Sequence, residues 1–248
     1  IGADTNEGAI AGESIMIDAG ATLELHRDSQ AADTEYEVTA RIAGGGVFHK
    51  HGDAPITLSG EITHTGAMVI DGDGALTILQ DSGRITTSEF RGTGELTIQS
   101  RADSFESPFI LENKYSTSAL TIGKPSNAAK INIHDDFDLD GSLTIHGGVS
   151  VAANVTTGGT QTYYDDVSVG GTDASFTAHS GDVIFKGDLS APVDNTNAAE
   201  LFAGGNATSG SSGSWLIPSG VSEVKAWAIG GGGAGGGANN SNGGAGGG

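Results

Sequence analysis

Short triplets of an aliphatic, a small polar and a second aliphatic residue recur along the middle of the chain. They read Ile56-Thr-Leu58, Leu76-Thr-Ile78, Leu96-Thr-Ile98, Leu120-Thr-Ile122, Ile131-Asn-Ile133 and Leu143-Thr-Ile145, each beginning two residues after a Gly, Ala or Ser. On an extended chain the two aliphatics share one face while the Thr or Asn faces away. Each triplet therefore predicts a short, half-buried β-strand.

Between first aliphatics the intervals are 20 (Ile56 to Leu76), 20 (Leu76 to Leu96), 24 (Leu96 to Leu120), 11 (Leu120 to Ile131) and 12 (Ile131 to Leu143). One spacing and another near half of it are expected if a coil holds two or three strands and the same face recurs once or twice per coil. Repeats of this length without intervening helices predict a β-solenoid. A single coil buries too few aliphatics to offset the entropy of its own ordering. The coils must stack, each covering the apolar face of the next and pairing its strand edges.

Composition agrees. Gly contributes 42 of 248 residues and aromatics only 6%, which suits many tight turns and a thin core of Val, Ile, Leu and Ala, with the aromatics dispersed. No stretch sustains an apolar period of 3.6 residues, so long helices are not expected. A formal net charge of −20 would repel phosphate backbones, which argues against nucleic acid as a partner. Cysteine is absent, excluding disulfides, thiolate metal sites and a thiol nucleophile. No apolar run reaches the ~20 residues needed to span a bilayer. The chain starts at Ile1 without a basic-then-apolar leader, so it is expected to be a mature or excised segment of something longer.

In order, residues 1–43 predict first coils or an N-terminal cap, and residues 44–190 carry the solenoid repeats. Between residues 101 and 140 the repeats are less regular, and Pro125 suggests a loop or bulged coil. Residues 191–212 are small, polar and unpatterned, as in a linker. Residues 213–248 combine two strand-like runs with a stretch of almost pure Gly, Ala and Asn, a small glycine-rich β element.

Three stretches resemble known families. Gly46-Val-Phe-His-Lys-His-Gly-Asp-Ala-Pro-Ile-Thr-Leu-Ser-Gly60 and the following Glu61 to Ile78 resemble the passenger repeats of autotransporter adhesins. Leu143 to Val151, Gln161-Thr-Tyr163 before Val167-Ser-Val169, and Gly181-Asp-Val-Ile-Phe185 resemble a repeat of filamentous-haemagglutinin-type surface adhesins. Pro218-Ser-Gly-Val221, with the polyglycine run after Ile229, is similar to the glycine-rich domain of phage tail-fibre adhesins. These resemblances imply a right-handed parallel β-helix and an extracellular or cell-surface location. They also imply a structural or adhesive role in a bacterial surface fibre, with copies of itself, a larger fibre, or host or cell-surface glycans as partners. A phage tail fibre or receptor-binding protein is the alternative, and a glycan-cleaving tailspike domain a weaker one.

Candidate chemistry is sparse. In Asp135-Asp-Phe-Asp-Leu-Asp140 a strand would place Asp136, Asp138 and Asp140 on one face, where Ca²⁺ would relieve their repulsion and plain solvation is the alternative. Asp71-Gly-Asp-Gly74 opens like a calcium loop, but Ala75 and Ser82 stand where ligands should follow, so a turn is expected. His49 and His51 alternate onto one face, with His64 a conceivable third transition-metal ligand one rung away; a surface strip is the plainer expectation. Tyr163, Tyr164, Trp215 and Trp227 are candidates to stack on glycans or a partner. The carboxylates are mostly isolated turn residues, and no Ser, His, Asp order stands out. The expectation is an all-β protein, a right-handed parallel β-solenoid followed by a small glycine-rich β element, that is not an enzyme.

Overall fold

The computed structural model describes residues 12–28, 36–82, 84–170 and 174–191, with the short strand Ala203–Gly204. The chain winds as a parallel β-solenoid of about eight turns, and among the described residues there is no helix. Strands fall on three faces. The first is one eight-stranded sheet: Tyr36–Val38, Ile56–Leu58, Leu76–Leu79, Glu95–Gln99, Ala119–Ile122, Ser142–Ile145, Gln161–Tyr163 and Val183–Phe185. The second holds Ser14–Ile17, Arg41–Gly44 and Ile62–His64. After a break around residues 84–88 it resumes with Phe109–Ile110, Ile131–Ile133, Val149–Val151, Val167–Val169 and Leu189–Ser190. The third holds Thr22–His26, Val47–His51, Ala67–Ile70, Glu89–Arg91 and Lys114–Ser116. It continues with Phe137–Leu139, Val155–Thr157, Phe176–Ala178 and Ala203–Gly204.

This winding accounts for both spacings in the sequence. Ile56, Leu76, Leu96, Leu120, Leu143 and Gln161 are successive register partners on the first face. Ile131 lies on the second face of the turn that begins at Leu120, hence the half interval. The aliphatics of the triplets point inward and are buried, from Ile56 and Leu58 to Leu143 and Ile145. Their threonines face the other way, where Thr57, Thr77, Thr97, Thr121, Thr144 and Thr162 form one register row, of which Thr57 is covered and buried. Adjacent turns of such a ladder are about 4.8 Å apart.

The aromatics are not dispersed. Phe48, Met68, Phe90 and Tyr115 are register partners on the inner side of the third face, and Phe137, Val155 and Phe176 extend the row. Phe90 and Tyr115 stack at 5.3 Å between ring centroids, and Tyr115 meets Phe137 at 5.6 Å across the break between the two third-face sheets. At the far end Tyr163 stacks on Phe185 at 5.2 Å, with Phe176 edge-on to both. Here Gln161 and Tyr163 take the places of the usual Leu and Ile. The buried amide is satisfied: Gln161 donates to the carbonyls of Val155 (3.1 Å) and Thr177 (2.8 Å) and accepts from the Tyr163 hydroxyl (2.9 Å).

The corners between faces differ in kind. From the third face back to the first, the turn is tight and glycine-rich. Gly72 and Gly92 have φ of +87° and +127°, and a Cβ on Gly92 would sit 2.1 Å from the Ile70 carbonyl oxygen, so a larger residue would meet both strain and a clash. From the first face to the second, the turn absorbs length. Residues 100–108 and 123–130 bulge there, as expected for the irregular stretch around Pro125. The bulge is anchored by Phe105 packed on Phe109 at 4.9 Å. Asn127 holds it as well, accepting from the Phe105 amide (3.2 Å) and donating to the carbonyl of His146 (2.8 Å).

The glycine-rich element read at 213–248, with Trp215 and Trp227, lies outside the described residues. Within the stretch read as a linker, Ala203–Gly204 pairs in parallel with Phe176 and Thr177.

Leu120 is fully buried between Leu96 and Leu143. Leu120→Ala is expected to cost about 2–5 kcal/mol in denaturant unfolding, whereas Thr121→Ser, on the outer side of the same strand, should change stability by about 0.5 kcal/mol or less.

Candidate functional site

The acidic run adopts the alternation its sequence predicts: Phe137 and Leu139 are buried, and Asp136, Asp138 and Asp140 are exposed. Two of the three carboxylates are engaged with neighbouring turns. Asp136 accepts from the Asn154 amide at 3.0 Å, and Asp140 accepts from the Ser116 hydroxyl. Among the described residues, no three His, Asp or Glu side chains are placed to hold a metal ion. Beside Asp140, at the break between the third-face sheets, lies a shallow hydroxyl-lined depression of about 410 Å³, formed with Gly92, Thr93, Ser116, Thr117 and Ser118.

His49 and His51 do share the outer side of one strand, with rings 5.6 Å apart, and His26 on the previous turn meets His51 edge-on at 4.4 Å. Asp71 bonds His49 at 3.0 Å, and that contact helps hold its carboxyl below the ordinary value against the opposing effect of burial. His64 does not join them. It sits on the second face, fully buried, with Nε2 3.1 Å from the Gly46 carbonyl oxygen and Nδ1 without a partner. The expectation of a place one rung away failed because His64 follows His51 by less than a full turn, so the chain has reached only the second face.

Under the histidine strip lies a residue whose burial the sequence does not reveal. Lys50 falls at an inward position of its strand and is fully buried. Its ammonium donates to the carbonyls of Gly52 and Gly74, at 2.5 Å each, tying two turns together at the glycine corner. Burial lowers its pKa, against the opposing pull of Asp53, Asp73, Asp28 and Asp71.

Tyr163 and Tyr164 part company. Tyr163 is buried in the aromatic end of the core, so its ring offers no surface to a ligand. Tyr164 is 47% exposed, one of two large apolar side chains so exposed among the described residues. It stacks on His146 of the previous turn, with ring centroids 4.2 Å apart and planes 23° apart. Burial lowers the pKa of His146, against the pull of Asp165. Two residues earlier on the same strands, Thr144 and Thr162 face outward as register partners. Neither threonine hydroxyl makes a hydrogen bond with the described part of the protein. The result is a flat patch with two stacked rings at one side and unspent hydroxyls at the other.

Compared with known proteins, the chain matches no family, no curated protein and no solved structure.

Two buried basic side chains set the expected pH dependence. His64 is held below its ordinary value of 6.5, chiefly by burial, because a proton on Nδ1 would be a buried charge with no acceptor. Unfolded chain then binds more protons, so stability should fall as the pH drops below 6.5. His64→Gln should flatten that part of the stability curve measured by denaturant titration. For Lys50 the folded pKa also lies below the unfolded one, 10.5. Its burial penalty is therefore relieved as the pH rises, and the parent should gain stability as the pH climbs towards 10.5. Above that, Tyr115 and Tyr163, whose phenols burial pushes up from 10.0, oppose the gain. Lys50→Met should abolish the alkaline gain in the same titration.

Proposed function

We propose that this chain is a non-enzymatic, extracellular segment of a bacterial surface fibre that both carries load and adheres. The observation that supports it best is the first face, where eight parallel strands pair in one unbroken sheet along the solenoid. Such a body lengthens by about 4.8 Å with every added turn while its cross-section stays constant. At each boundary between turns the ladders of the three faces lie side by side, so an axial pull is shared among them. Outer rows of Thr, Ser and Asn, with a net charge of −20, keep the faces hydrated and discourage lateral aggregation. Copies of the chain, or further solenoid segments of a larger fibre, are the natural neighbours at the ends, where strand edges seek partners.

Antibodies raised against the 248-residue chain should label intact cells of the organism that makes it, and deletion of the gene should reduce attachment of those cells to surfaces. Labelling that requires cell lysis, or attachment unchanged by the deletion, would overturn the reading.

A further inference from the structure

We propose that the outer patch built from Thr144, His146, Thr162 and Tyr164 binds a neutral oligosaccharide. This deepens the adhesive reading and rests on it. A pyranose ring presents an apolar face of C–H groups and an equatorial rim of hydroxyls. The patch offers the matching pair of surfaces. Tyr164 exposes its ring to solvent, and the stack on His146 holds it in place, so little conformational freedom is lost when a sugar packs against it. The Thr144 and Thr162 hydroxyls, two residues away along the same turns and without partners among the described residues, can donate to and accept from sugar hydroxyls. Two residues along a strand span about 6.7 Å, so ring and hydroxyls lie within reach of one or two hexose units.

The surroundings favour a neutral sugar. Asp165 sits at the corner beside the patch, where it accepts from the Gly147 amide at 2.7 Å, and the exposed Lys186 stands in line with Tyr164 on the next turn. These two charges offset one another at the patch, while the net charge of −20 on the whole chain disfavours acidic chains at longer range. On the preceding turn the position in line with His146 is Gly123, whose backbone amide pairs with Ile98 and which puts no side chain of its own beside the rings.

The test is a printed array of neutral gluco-, galacto- and manno-configured oligosaccharides, with acidic glycans alongside, probed with the full 248-residue chain. The parent should bind one or more neutral chains. Tyr164→Ala should weaken that binding at least about tenfold, Tyr164→Phe should retain it within about threefold, and Thr97→Ala, in the same threonine row several turns away, should leave it unchanged. Because Tyr164 is exposed, its variants should keep the parent's circular dichroism spectrum and melting temperature, which separates lost contact from lost fold. Equal binding by Tyr164→Ala and the parent overturns the patch but leaves the adhesive reading standing, with glycan held elsewhere. A parent that binds no neutral sugar, or acidic glycans alone, also overturns the patch, and the cell-labelling and attachment experiments then decide the adhesive reading independently.

Discussion

Everything in this molecule depends on register between successive turns. A parallel strand has no hairpin partner, so the amides and carbonyls of each turn are satisfied by the turns above and below. That requirement makes every inward position stack on an inward position of like kind. On the first face Leu and Ile sit on Leu and Ile, and on the third Phe and Tyr sit on one another. The core is a set of columns, and each side chain is held by its vertical neighbours as much as by those across the turn. No turn has a closed hydrophobic interior of its own, which is why stability must come from stacking.

The same rule explains which parts of the fold were legible in the sequence. The first face could be read because its triplets alternate cleanly and repeat. The second face announced itself at Ile131 through the half interval. The third face was obscured because several of its strands, Glu89–Arg91 and Lys114–Ser116 among them, bury one aromatic between polar neighbours. In Val47–His51 the inward positions are Phe48 and Lys50, and a buried lysine reads in sequence as an outward one. Its burial becomes intelligible only when the fold brings the carbonyls of Gly52 and Gly74 to the ammonium. The aromatic row was hidden for a similar reason: its members stand a full turn apart, and only the register joins them.

The candidate site was legible in part. Two adjacent tyrosines on a strand must face opposite ways, so sequence alone could say that one of Tyr163 and Tyr164 was exposed. The sequence reading offered both rings as contacts; that Tyr163 is the inner one follows from the register, which puts Gln161 and Tyr163 in the places of Leu143 and Ile145. Nothing in the sequence pointed to His146 as the partner of Tyr164, since the stack crosses turns. His64 illustrates the opposite failure, where a residue less than a full turn from the other histidines was taken to be one rung away on the same face.

The two kinds of corner have a consequence for how such a chain can change over time. At the glycine corner, Gly72 and Gly92 pack against the backbone of the preceding turn, and a side chain added at either would clash. At the corner between the first and second faces, the stretch from Ser100 to Pro108 swells outward while Leu96 and Leu120 stay in register. Insertions there move surface and leave the columns alone. The solenoid thus has one side that is conservative by geometry and one that is free to diversify, and foreign peptides grafted at residues 100–108 would be displayed along the axis without disturbing the ladder that carries them.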